Sequence, residues 1–115
     1  MFDKEKLNEI EIGKKMGEAG VGPKVRAVHW CEQDGGVLVM IVADLMSRGD
    51  LAQFSQTHAV TDRHVAEIER KIRKMHRMGY LHNDVHARNV LVDGREDGGF
   101  DFYISDFGFS APDKN

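Results

Sequence analysis

The sequence predicts an α+β fold: a helix near the start, two β-hairpins and a central amphipathic helix, forming one domain over residues 1–115. Three observations carry that expectation. Val65, Ile68, Ile72 and Met75 recur at three- and four-residue spacing, as one buried stripe of a helix requires. Two pairs of apolar or alternating runs, 25–30 with 37–42 and 90–92 with 100–104, are each separated by a Gly-rich turn, the pattern of a hairpin. At 115 residues, the chain is long enough for one modest core.

The elements follow in order. Residues 3–19 read as a helix, with Asp3 as N-cap and Leu7, Ile10, Ile12, Met16 and Ala19 as its apolar face; Gly13 and Gly17 weaken it. Gly20-Val21-Gly22-Pro23 ends it, because glycine accepts a left-handed cap and proline cannot continue a helix. Val25–Trp30 alternates loosely, Asp34-Gly35-Gly36 is a turn, and the near-continuous apolar run Val37–Val42 predicts a well-buried strand. Asp50 caps a short helix. The best helix spans 62–78, with Thr61 or Asp62 at its start and Gly79 at its C′ position. Arg70, Lys71, Arg73, Lys74 and Arg77 crowd its last turns, where the helix dipole favours positive charge; the simplest reading is a solvated face. Val90–Val92 and Phe100–Ile104 form the second hairpin around the loop 94–99, and 109–115 is expected to be loose.

Composition narrows the function. A hydrophobic share of 41% and a charged share of 30% are ordinary for a globular protein, and a net charge of −3 implies no global attraction to nucleic acid or anionic membrane. The one cysteine, Cys31, allows no internal disulfide and is read as a small buried or half-buried residue. The longest apolar run, Val37–Ala43, is too short to cross a bilayer, and Met1–Lys4 shows no apolar signal region, so the expected location is cytoplasmic.

The chemistry lies in a split signature: His82-Asn83-Asp84-Val85-His86-Ala87-Arg88-Asn89, then Ile104-Ser105-Asp106-Phe107-Gly108, with Asp84 and Asn89 five positions apart. Phosphoryl transfer needs an aligned hydroxyl, neutralised phosphate charge and a held leaving group. A carboxylate such as Asp84 aligns the hydroxyl and accepts its proton, while hard oxygens such as those of Asn89 and Asp106 suit Mg²⁺. Plainer readings stand beside this one. Zinc would need three or four converging nitrogen or sulfur ligands, and no further His or Cys has a supporting spacing. Asp106 taken alone is a turn aspartate, Glu9 and Glu11 are equally readable as solvated helix charges, and His82 is read as a core histidine under the loop. The other histidines, His29, His58, His64 and His76, are read as structural or surface residues.

From about Glu9 to Ser110 the chain resembles the middle of a protein kinase, in the order of its elements as well as in its two motifs. The resemblance implies ATP and Mg²⁺ as cofactors and a protein Ser/Thr or Tyr hydroxyl as acceptor. It implies a partial N-lobe over 3–42, a hinge at Ala43-Asp44-Leu45-Met46 binding adenine through its backbone, and a partial C-lobe over 47–110. Glu9 would be the ion-pairing glutamate of the C-helix, with Glu11 close behind; Asp84 the catalytic base; Asn89 and Asp106 the metal ligands. Ala87-Arg88-Asn89 resembles the tyrosine-kinase loop, with Arg88 as a catalytic-loop residue and His86 where serine/threonine kinases place a lysine. Kinases acting on small molecules, similar to the aminoglycoside and lipopolysaccharide kinases, share the His-x-Asp-x-x-x-x-Asn element; Asp106-Phe107-Gly108 weights the comparison toward protein kinases.

Departures shape the rest of the expectation. Asn83 replaces the arginine that meets a phosphorylated activation loop, implying no such switch. The Gly-rich loop and third-strand lysine do not precede Glu9, with Lys4 and Lys6 poor substitutes, and no Ala-Pro-Glu helices follow Gly108. Three readings stay open: a fragment of a larger kinase, a natural miniature, or a mimic that docks on a kinase or its substrate. The rival function is thus a catalytically silent, kinase-derived binding module. Apolar surface left uncovered by missing lobes predicts a homodimer or a protein partner.

Overall fold

The computed structural model describes residues 4–113. Helix α1 (Lys4–Glu18) leads into the hairpin β1 (Val25–Gln33) and β2 (Gly36–Ala43), followed by α2 (Leu51–Thr57) and α3 (Asp62–Arg77). Strand β3 (Tyr80–Leu81) comes next, and a single 3₁₀ turn (Ala87–Asn89) precedes the hairpin β4 (Val90–Gly94) and β5 (Phe100–Ile104); β6 (Ala111–Pro112) closes the order. The strands form three antiparallel pairs, β1 with β2, β3 with β6 and β4 with β5. The α+β expectation matches this small mixed architecture. The Asp3 cap and the side chains of Lys4 and Lys6 lie outside the described residues.

The helix ends obey local chemistry. Asp50 and Thr61 each close a capping box, with Gln53 and His64 as the reciprocal partners. Gly79 follows α3 at φ 94°, a conformation that a Cβ would strain. At the end of α1, the Val21 and Gly22 amides both donate to the Met16 carbonyl, at 2.9 and 3.0 Å.

The core sits between α1, α2, α3 and the β4–β5 hairpin: Ile12, Met16, Phe54, Met75, Val90, Val92, Phe102 and Ile104 are all buried. Phe54 meets Phe100 edge-on at 4.8 Å between ring centroids. The Lys71 ammonium donates to the Phe102 carbonyl and lies 4.0 Å from the Tyr103 ring centroid, pinning α3 to β5; burial lowers its pKa from the ordinary lysine value. On the far side of β4, Arg48 donates to the Val92 carbonyl at 2.9 Å and Val92 to the Gly49 carbonyl at 2.8 Å, tying segment 47–50 alongside.

Four expectations are corrected. The apolar run of β2 is not buried: Val37, Leu38, Met40, Ile41 and Val42 are exposed, because β1–β2 is a two-stranded sheet and the described elements leave most of its faces uncovered. Val65 and Leu7 also lie on the surface, so the buried stripes of α3 and α1 are narrower than their spacing suggests. Cys31 is exposed on β1. Residues 109–113 are not loose, since Ala111–Pro112 pairs with Tyr80–Leu81 and the Asp113 amide donates to the Gly79 carbonyl at 2.7 Å.

Candidate active site

Strand β3, the loop 82–86 and the 3₁₀ turn carry the first half of the signature; the end of β5 carries the second. Their junction is a set of hydrogen bonds centred on two buried side chains, His82 and Asn89. The Asp84 amide donates to His82 Nδ1 at 3.1 Å. A backbone N–H can only donate, so Nδ1 holds the lone pair and Nε2 carries the proton, which goes to the Ser105 carbonyl at 2.7 Å. The imidazole therefore joins the two motifs and rests edge-on against Phe107, with centroids 5.6 Å apart. This agrees with the reading of His82 as a core residue under the loop.

Asn89 makes the second junction. Its Nδ2 lies 2.9 Å from the Asp84 carbonyl and 3.2 Å from the Asp84 carboxylate. Its backbone carbonyl accepts from the Ser105 amide at 2.8 Å and the Ser105 hydroxyl at 3.2 Å. Asp84 and Asn89 are thus in contact, and Asp106 follows directly on the residue bonded to Asn89. Asp106 is exposed, has φ 59°, and its carboxylate accepts from the Gly108 amide at 3.3 Å. A carboxamide and a carboxylate supply oxygen donors, a set that fits Mg²⁺ and not a soft metal. Among the described residues, no group of three or more His, Cys, Asp or Glu is arranged to hold a metal.

Glu9 is half-buried on α1 and faces this junction; a Cβ placed on Gly108 would lie 3.3 Å from the Asp106 carboxylate and 3.9 Å from that of Glu9. Glu11 is exposed to solvent. Gly13, which weakens α1, and Gly22, in the turn that ends it, have a use here. A Cβ on Gly13 would touch the Phe107 ring at 3.6 Å, and one on Gly22 would fall 2.9 Å from the Ile104 carbonyl. Their absence of side chains lets α1 and its turn close on Phe107 and β5, where the Ile104 amide donates to the Val21 carbonyl at 2.8 Å.

Between α1, the hairpin and Asp106-Phe107 lies an apolar cavity of about 170 Å³, lined by Ile10, Val25, Ile41 and Ala43, with Glu9 and Asp106 at its polar side. Of the four residues expected to form a hinge, Ala43 lines this cavity. Asp44, Leu45 and Met46 border a separate, more polar hollow with Lys24, Asp93 and Tyr103. The Asp44 amide donates to the Lys24 carbonyl at 3.0 Å, and its carboxylate clasps the Arg26 guanidinium at 2.5 and 2.9 Å. That guanidinium holds the Asp44 carboxyl below the ordinary aspartate range. Arg88 is exposed; its backbone amide, not its side chain, takes part in the loop, donating to His86 Nδ1 at 3.2 Å.

Sequence reasoning under-read two residues. Asn83, noted for what it replaces, has φ 70° and donates from Nδ2 to the Phe109 carbonyl at 3.1 Å, stapling the segment after Gly108 to the loop. Asparagine's tolerance of the left-handed region is the signal that could have located it. His86, noted for its position, caps the 3₁₀ turn.

The comparisons with known proteins bear on the whole arrangement. The family model described as "Lipopolysaccharide kinase (Kdo/WaaP) family" matches residues 7–112. The serine/threonine-protein kinase CBK1 of Candida albicans is 27% identical over 96% of this chain, which spans 15% of that protein. Ephrin type-A receptor 8 of Mus musculus is 40% identical over 65% of the chain, spanning 8% of the receptor. The 3-deoxy-D-manno-octulosonic acid kinase of Vibrio vulnificus is 30% identical over 76% of the chain, spanning 38% of that enzyme. The small mixed helix-and-sheet fold is consistent with a kinase-like chain, and the matches are to kinases. Within that class, the chain belongs to the lipopolysaccharide kinase (Kdo/WaaP) family, and its resemblance extends to protein kinases. Kinases in general use ATP. No described helix is long and apolar enough to cross a membrane.

Proposed function

We propose that this chain carries out ATP- and Mg²⁺-dependent phosphoryl transfer to a hydroxyl group. The observation that supports this most is the direct bonding of Asn89 to Asp84, with the Asn89 carbonyl bonded to Ser105, the residue before Asp106. In this reading Asp84 orients the acceptor hydroxyl and takes its proton. The oxygens of Asn89 and Asp106 would hold Mg²⁺, which supplies neutralisation of phosphate charge. Glu9 keeps α1 facing the site, the apolar cavity under Ala43 receives the base, and the backbone of Ala43–Met46 orients it. Arg88 serves the acceptor side of the loop.

The acceptor is a protein hydroxyl on the strength of Asp106-Phe107-Gly108 and the match to CBK1 over 96% of this chain, which spans 15% of that protein. A sugar hydroxyl is the second reading, and the family match over residues 7–112 is the observation that favours it. The silent-module alternative gains no support from a site in which Asp84, Asn89 and Asp106 are all retained.

Isothermal titration with ATP and Mg²⁺ on wild type and Asp106→Asn tests the nucleotide site. Magnesium-dependent binding that the variant loses is the expected result; no binding at millimolar nucleotide would overturn the proposal. Radiolabelled phosphate transfer to a protein mixture or to acidic sugars then separates the two acceptors.

A further inference from the structure

The cations of α3 divide by what the structure sets around them. Lys71 donates to the Phe102 carbonyl, Lys74 donates to the Ala19 carbonyl at 2.6 Å, and Arg73 lies 4.0 Å from the Glu69 carboxylate. Arg63 and Arg70 are different: both are exposed, and neither side chain makes a hydrogen bond or ion pair with a described residue. Seven positions apart, they share one side of the helix. Both line a hollow of about 580 Å³ between α3 and the turn of the β4–β5 hairpin, together with Arg95 of that turn and the half-buried His64 and Phe100. A chain with a net charge of −3 thus has a cavity lined by three arginines and one acid, Glu67. Arg95 is already engaged by Asp97 at 3.2 Å and Asp101 at 3.1 Å. Glu67 shares its field with Lys71, whose charged form it favours. The cations left open to a ligand are Arg63 and Arg70.

We propose that this hollow docks an acidic segment of a partner protein, two of whose carboxylates pair with Arg63 and Arg70. The helix rise sets the two Cα atoms about 10 Å apart. In an extended polyproline-type segment, acids three residues apart stand on one side and about 9 Å apart, so the spacings agree. Each guanidinium offers a carboxylate a two-pronged contact, and Phe100 with the arginine stems gives the residues between the acids an apolar rest. The hollow lies at the turn end of a hairpin whose other end carries Asn89 and Ser105, five strand residues or roughly 16 Å away. A docked segment therefore leaves the candidate active site open, and the proposal stands whether or not phosphoryl transfer occurs.

The test is a nitrogen-15 NMR titration of the full chain with a capped Pro-Glu-Pro-Pro-Glu-Pro peptide at low salt. Saturable shifts are expected at residues 63–70 and 95–100, with Asn89 and Ser105 unmoved. They should weaken as salt is added and be absent with the glutamine analogue of the peptide. Arg63→Gln with Arg70→Gln should raise the Kd about tenfold, while Arg77→Gln, which removes a charge from the same helix outside the hollow, should leave it unchanged. Both positions are exposed, so the melting temperature of the double variant should match wild type. The charge-reversed pair, Arg63→Glu with Arg70→Glu, should bind the lysine analogue of the peptide instead. No shifts at millimolar peptide, equal binding of the glutamine analogue, or an equal loss in Arg77→Gln would overturn the proposal. Displacement of the peptide by an equal concentration of inorganic phosphate would also overturn it, in favour of a site for a single small anion.

Discussion

The two hairpins are built from similar apolar residues and have opposite fates. In β4–β5, Val90, Val92, Phe102 and Ile104 are at most 2% exposed, closed in by three helices. In β1–β2, Leu38, Met40 and Ile41 are 44–55% exposed and the strands pair only with each other. The difference follows the site. Everything that aligns the proposed base and metal ligands is anchored in the covered hairpin: Asn89 opens it, Ser105 and Asp106 follow it, and His82 bonds to its end. The bare hairpin contributes only an apolar wall, Val25, Ile41 and Ala43, to the cavity proposed for the base. One half of the site is preorganised by hydrogen bonds and burial; the other is shaped by a single exposed sheet.

Substitutions sharpen the contrast, beginning with the covered half. If phosphoryl transfer is measured, Asp84→Ala should reduce kcat by ~10²–10⁴-fold with unchanged urea unfolding, since Asp84 is partly exposed and contributes its side chain to function. A parallel loss of stability would place Asp84 in the scaffold instead. Phe102→Ala removes a fully buried ring that touches Phe54 and should cost about 3–5 kcal/mol by denaturant unfolding. His82→Ala leaves the Asp84 amide and the Ser105 carbonyl without their partner, a cost of roughly 2–4 kcal/mol. Its signature is also local: amide exchange should speed up at Asp84 and around Ser105 before it does in α3. Uniform acceleration would mean that His82 acts on global stability and not on the junction of the two motifs.

The covered half was also the legible half. Thr61, Gly79 and the stripe through Ile68 and Met75 located α3, because caps and period are local properties of the chain. The proximity of Asp84 and Asn89 was readable as well, since a five-residue spacing lets one short turn bring them together. The strand 37–42 was misjudged for a non-local reason. A continuous apolar run records that a strand suits burial on both faces, and what covers those faces is decided by residues far away in sequence. The same limit hid the use of Gly13, which looks like a helix defect, and of Gly22, which looks like only part of the helix-ending turn, until Ile104 and Phe107 arrive from more than eighty positions downstream. It hid the β3–β6 pairing too, since neither two-residue strand carries a pattern of its own.

On the bare hairpin the expected effects are small. Met40→Ser changes a residue already 55% exposed and should shift stability by less than ~0.5 kcal/mol; a larger loss would show that the hairpin face is covered in solution. The last and smallest effect concerns the clasp that holds this hairpin to the segment following β2, Arg26 with Asp44. The Arg26 hydrogen bonds lower the Asp44 pKa in the folded chain, so the clasp stabilises the fold above the unfolded aspartate value and is lost as pH falls through the depressed folded value. Both side chains are well solvated, so salt should weaken the same contact. The expected observation is a change in the Arg26 Nε and Asp44 amide resonances below about pH 4, with β4–β5 resonances unmoved, and no such step in Asp44→Asn. A step that persists in Asp44→Asn would assign the acid response to another carboxylate. A step shared by β4–β5 would mean that the two hairpins unfold as one unit, and the contrast between them would be one of exposure alone.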